Sequence, residues 1–128
     1  MAKDKKTATI DIRLSDQQFR ILDILNELGE GTVREVQAML PSDLAHTTVG
    51  TMLTRLEKKG VLASEPRGRE RVFRPLLSTA DVQRSTVSGL ISTMFGGSSS
   101  ALLAHLLREE EIADGDLAEI KKMLDEES

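Results

Sequence analysis

Between Ser15 and Pro75 the chain is punctuated too often for any long element. Ser15 with Gln18, and Thr32 with Glu35, have the spacing of helix-opening capping boxes, in which each side chain bonds the other residue's backbone N–H. Gly29 and Gly60 suit helix ends, and Pro41 cannot continue a helix. Three short amphipathic helices fit this punctuation. The first, from Ser15 to Gly29, carries Phe19, Leu22, Leu25 and Leu28 as a stripe with Ile21 beside it. The second carries Val33, Val36, Met39 and Leu40. The third, from His46 to Gly60, carries Val49, Met52, Leu53 and Leu56. Val61–Glu65 and Arg71–Arg74 then read as strands around the turn PRGRE (66–70), where Gly68 is free to take positive φ. Three helices followed by a hairpin is the order of a winged helix-turn-helix.

The second half changes character. A helix from Thr79 carries Val82, Val87, Leu90, Ile91, Met94 and Phe95 and stops at Gly96-Gly97. The serine run 98–100 caps the next, which carries Leu102, Leu103, Leu106 and Leu107. Asp114-Gly115-Asp116 opens a last helix with Leu117, Ile120 and Leu124. Three helices of this length bury little alone, so their apolar stripes predict a second copy as the missing surface, in preference to packing against the first domain of the same chain. The expected fold is mainly α with a small β-hairpin. It comprises an N-terminal tail (1–13), a winged helix-turn-helix domain (14–78) and a three-helix dimerisation domain (79–128). In the tail, the alternation of Ile10, Ile12 and Leu14 predicts a short extended segment.

Net charge is −4, which at first sight disfavours nucleic acid, but the distribution reverses that reading. Residues 1–78 hold 13 Lys/Arg against 11 Asp/Glu, whereas residues 79–128 hold 4 against 10. The basic excess concentrates in residues 54–75, with 7 basic and 3 acidic side chains. On the third helix, Thr47, Thr48, Gly50, Thr51, Thr54, Arg55 and Lys58 fall away from the apolar stripe. Small hydroxylated side chains let a helix approach the floor of a major groove and meet base edges or thymine methyls. Gly50 reads as adding no bulk there. A merely solvated face would use better helix formers than threonine. Arg67, Arg69, Arg71 and Arg74 around the turn can follow a duplex backbone or enter a minor groove. Lys58 and Lys59 fit phosphate binding and neutralisation of the helix C-terminus about equally.

Other chemistries find little purchase. With no cysteine there is no disulfide, thiolate metal site or cysteine nucleophile. His46 and His105 are too far apart to share a metal, so no metal or cofactor is expected. His46 either touches phosphate or flanks the helix start, and His105 reads as a surface or interface residue. Residues 29–32 (GEGT) lack the glycine spacing and lysine of a nucleotide loop, and no calcium loop or nucleophile–base pair is present. The expectation is therefore not an enzyme. No apolar run reaches membrane length, and no signal-peptide pattern opens the chain, which predicts a cytoplasmic protein without a membrane partner.

These residues resemble the penicillinase repressor family, the BlaI/MecI/CopY group of bacterial regulators. The carriers are LAHTTVGTMLTRLEKKGVL (44–62), RGRERVFRP (67–75) and MFGGSSSALLAHLL (94–107), and the likeness covers about residues 14–125. The resemblance implies a homodimeric winged-helix transcriptional repressor on dyad-symmetric operator DNA. It places Ala45, His46, Thr47, Thr48, Thr51 and Arg55 in the recognition helix and Arg69 and Arg71 in the wing; Lys58 and Arg67 join them on charge. Leu90, Ile91, Met94, Leu102, Leu103, Leu106, Leu107, Leu117, Ile120 and Leu124 are the expected dimerisation residues. The copper-responsive branch uses C-terminal cysteines, which this chain lacks. The β-lactam-responsive branch is relieved by a sensor-linked protease that cuts an Asn-Phe bond. The matching pair here is His105-Leu106, which leaves cleavage with altered specificity and no cleavage both open. Two alternatives share the wing: a protein-interaction module, which predicts no salt-sensitive DNA binding, and a ligand-sensing regulator of the multiple-antibiotic-resistance type. The latter usually opens with an additional dimerisation helix, for which residues 1–13 leave no room.

Overall fold

The computed structural model describes residues 12–109 and 111–127. The order is α1 (Asp16–Leu28), β1 (Gly31–Thr32), α2 (Val33–Met39), α3 (His46–Lys58), β2 (Leu62–Arg67), β3 (Glu70–Pro75), α4 (Thr79–Met94), α5 (Ser99–Arg108) and α6 (Asp114–Glu127). Both capping boxes form, Ser15 with Gln18 and Thr32 with Glu35. Gly29 ends α1 at φ 88°, a conformation that costs a residue without Cβ nothing.

Two compact units divide after Val87. The first holds α1–α3, the sheet and the opening turns of α4, where Val82 is buried in the core. The core is built from Ile21, Leu22 and Leu25 of α1, Val36 of α2, Val49, Leu53 and Leu56 of α3, and Val61, Leu62 and Phe73. The α1 face differs from the expected stripe. Ile24 is buried, while Leu28 is 42% exposed and Phe19 only partly buried. Residues spaced always by three drift around a helix of 3.6 residues per turn, so the two ends of that stripe leave the core. In α2, Val36 is buried and Met39 is 43% exposed, while Leu40, the residue that caps the helix, is buried.

The sheet has three antiparallel strands in the order β1-β3-β2. The two-residue strand β1 was not legible in the sequence: Gly31 pairs with Phe73 and Thr32 with Val72, and Thr32 serves at once as strand and helix cap. The hairpin is tighter than expected. Pairing runs to Arg67↔Glu70 and leaves a loop of only Gly68 and Arg69, with Gly68 at φ 67°. Pro66 continues the strand because β2 is an edge, the place in a sheet that tolerates a residue without N–H.

Of the N-terminal alternation, Ile10 lies outside the described residues. Ile12 and Leu14 pack partly buried against the core without strand pairing. The second unit is capped as expected at Ser98, whose hydroxyl accepts from Ala101 N–H. No α5 residue is buried. Among the described residues, the exposed large apolar side chains apart from Leu28, Met39 and Leu76 are all on α4–α6. Among the described residues no single helix is long and apolar enough to cross a membrane.

Candidate nucleic-acid interface

Helix α3 is held by its buried face, and its opposite face is left to solvent. Val49, Leu53 and Leu56 are fully buried, and Met52 packs partly buried against them. Ala45, His46, Thr47, Thr48, Thr51, Thr54, Arg55 and Lys58 are all exposed. Thr47, Thr51, Thr54 and Lys58 follow the i, i+4, i+7, i+11 spacing of a single stripe. The turn before α3 is fixed by Gln37 Nε2 donating to Leu44 O at 2.8 Å and Gln17 Nε2 to Ser42 Oγ at 3.2 Å. Ala45 occupies the N-cap and offers no side-chain bond, so the first-turn N–H groups stay open to an outside acceptor.

Gly50 does not lie where the sequence placed it. It is partly buried and faces α2, where an added Cβ would meet the Val33 methyls at 3.9 and 4.0 Å, ordinary van der Waals contact. Gly50→Ala is therefore expected to stabilise the fold by up to about 1 kcal/mol through helix propensity and to leave DNA binding unchanged. Denaturant unfolding and a gel shift check both halves; a collapse of binding would place Gly50 against the duplex.

The cations sort into committed and uncommitted groups. Arg67 bonds Glu30 Oε2 at 2.7 Å and Glu65 Oε2 at 2.8 Å. That hydrogen bond from Arg67, reinforced by its charge, holds the Glu30 carboxyl below its ordinary range and raises the pKa of the guanidinium. Arg67 thus bridges the end of the wing strand to the loop before β1, with its charge already balanced. Arg71 Nη1 donates to Ser64 Oγ at 3.0 Å, and Ser64 Oγ donates to Glu57 Oε2 at 2.8 Å. This relay ties the wing to the last turn of α3, a link that only the fold reveals. Lys59 Nζ bonds Arg13 O at 2.9 Å and Gln18 Oε1 at 3.4 Å, which makes it a brace to the start of α1. By contrast Arg55, Lys58 and the loop residue Arg69 are exposed and make no ion pair among the described residues. In the second unit, the His105 ring meets the edge of Phe95 with centroids 5.6 Å apart. The His105-Leu106 bond lies inside α5, with His105 O accepting from Glu109 N (3.0 Å) and Leu106 O from Glu111 N (2.9 Å). Among the described residues no cluster of metal-ligating side chains forms.

A helix-turn-helix whose third helix turns one face to solvent, followed by a hairpin that completes a three-stranded sheet with β1, defines the winged-helix class of DNA-binding proteins. The chain belongs to the penicillinase repressor family, whose model matches residues 14–126. It is accordingly a DNA-binding transcriptional repressor and not an enzyme. The penicillinase repressor of Bacillus licheniformis is 22% identical over 116 residues, covering 89% of this chain and 91% of that protein. The methicillin resistance regulatory protein MecI of Staphylococcus aureus is 21% identical over 125 residues, covering 94% and 97%. The DNA-binding domain of the repressor BlaI superposes with a TM-score of 0.51 at 28% identity, over 56% of this chain and 90% of that one. A mutant MarR from E. coli gives a TM-score of 0.54 over 96% of this chain and 88% of that one; at 15% identity this likeness shows the fold alone.

Proposed function

We propose that the protein represses transcription as a homodimer on a dyad-symmetric operator, each protomer laying α3 in a major groove and its wing along the backbone. The observation that carries the reading is the exposed Thr47–Thr51–Thr54–Lys58 stripe beside Arg55, which makes no ion pair among the described residues, on a helix anchored by a fully buried face. Ala45, His46, Thr47 and Thr48 bring the open helix start to the groove or its flanking phosphate, while Arg55 and Lys58 reach from the later turns. Arg69, at the loop, and Arg71, steered by Ser64, face the backbone. Arg67 contributes chiefly to wing geometry. Leu90, Ile91, Met94, Leu102, Leu103, Leu106, Leu107, Leu117, Ile120 and Leu124 form the surface that a second copy covers. The site of action is the cytoplasm, where bacterial promoter DNA lies.

Relief by a sensor-linked protease at His105-Leu106 belongs to the same reading. The i to i+4 bond on His105 O and the helix-end bond on Leu106 O mean that the end of α5 must open before a protease can seat that peptide bond.

The test is a gel shift on the chain's own promoter region across a salt series. Neutralising several phosphates makes log K fall linearly with log salt. Binding that ignores salt, or fails altogether, would support a protein-docking role for the threonine face. Within the same series, Arg69→Ala should weaken operator and random duplex alike and reduce the salt slope by about 1. A changed sequence preference would instead make the wing a base reader.

A further inference from the structure

The threonine hydroxyls of α3 are not equivalent. Thr51 Oγ1 donates to Thr47 O at 3.0 Å, and Thr54 Oγ1 donates to Gly50 O at 3.0 Å. A hydroxyl has one hydrogen and two lone pairs. With the hydrogen turned back along the helix, the outward surface of each residue is an acceptor and a γ-methyl. Thr47 and Thr48 sit in the first turn, where no carbonyl of the helix lies four residues earlier. Among the described residues neither of their hydroxyls makes a hydrogen bond, so both keep a donor for an outside partner.

We propose that Thr51 is a specificity-determining residue that reads its base pair as an acceptor with a methyl group, not as a donor, while donation falls to Thr47 and Thr48. This rests on α3 lying in the major groove. Adenine and cytosine present amino donors there, thymine a methyl, and guanine only acceptors. Thr51 matches the first three without rearrangement. To meet guanine N7 or O6 it must give up its bond to Thr47 O, leaving acceptor against acceptor otherwise. Thr51 is the natural discriminator because it is exposed at the middle of the stripe, flanked by Thr47 a turn before and Lys58 two turns after.

The experiment has two stages on full-length protein. A base-pair substitution scan of the operator with wild type, Thr51→Ala and Arg55→Ala first locates the pair whose preference Thr51 sets. At that pair, purines are then replaced by 7-deaza analogues, which lack the N7 acceptor, and thymine by uracil or adenine by 2-aminopurine, which lack the major-groove methyl or amino group. Wild type should lose about three- to ten-fold on removal of the methyl or amino group, the scale of one neutral contact, and Thr51→Ala should not respond. The 7-deaza duplex should bind wild type as the parent does. A 7-deaza loss in wild type that is missing from Thr51→Ala would overturn the inference, because it makes Thr51 a donor. If Thr51→Ala shifts no preference while Arg55→Ala does, the inference falls and α3 remains the reading helix. If neither shifts any preference, both fall.

Discussion

Leu103→Asp is expected to convert the protein to monomers and to lower operator affinity by about 10²–10⁴-fold, the gain that linking two binding modules supplies. Leu103 is 50% exposed and Leu107, one turn on, 45% exposed. Leu117, Ile120, Met123 and Leu124 are also exposed, and apolar side chains left to water mark an interaction site where they form one patch. A carboxylate within the covered surface would be buried unpaired, which opposes association strongly. Because Leu103 is already half exposed in one protomer, the variant should keep its helices and its first-unit core. Sedimentation velocity reads the mass, circular dichroism the helix content, and a gel shift the affinity. A variant that stays dimeric moves the interface off α5.

Arg55→Ala is expected to cost specific binding about 5- to 150-fold, the range of about 1–3 kcal/mol that a good bidentate base contact provides. Binding to random duplex should fall far less. Arg55 has no ion-pair partner among the described residues, so its removal leaves no carboxylate unbalanced and the loss reports on DNA. Arg67→Ala makes the contrast. It breaks two exposed ion pairs, which solvent screens heavily, and should change affinity much less than Arg55→Ala. Equal effects would mean that Arg67 leaves Glu30 and Glu65 for phosphate. Competition binding on operator and random duplexes measures both ratios.

The elements of the first unit were legible wherever a local rule fixes them. The Ser15–Gln18 and Thr32–Glu35 boxes, the stop at Gly29 and the buried face of α3 are set by neighbours within a turn or two, and the structure has them. What the sequence missed depends on partners distant along the chain. Strand β1 is two residues long and exists only because β3 lies beside it. Pro66 reads as a breaker until β2 is known to be an edge. Gly50 looks like a gap for a ligand until Val33 of α2 is seen against it. In the candidate interface, Arg67 counted as a free cation, although Glu30, far earlier in the chain, holds it. Thr51 counted simply as a hydroxylated side chain that can meet a base edge, and only the fold shows its hydrogen turned to Thr47 O. Residue type indicated the chemistry available at each position; the fold decided which of it faces outward.

The central claim, that two α3 helices enter successive major grooves around a dyad, is tested most directly by a footprint of the protein on its own promoter region. Methylation interference at guanine N7 reports the major groove, and hydroxyl-radical cleavage reports the backbone. The account predicts two symmetric half-sites on one face of the duplex, their centres one helical turn or a small multiple apart, about 10 bp per turn. Arg55→Ala should weaken major-groove protection in both halves, while backbone protection attributable to the wing persists. A single asymmetric patch, or protection confined to the backbone with no major-groove signal, would contradict it.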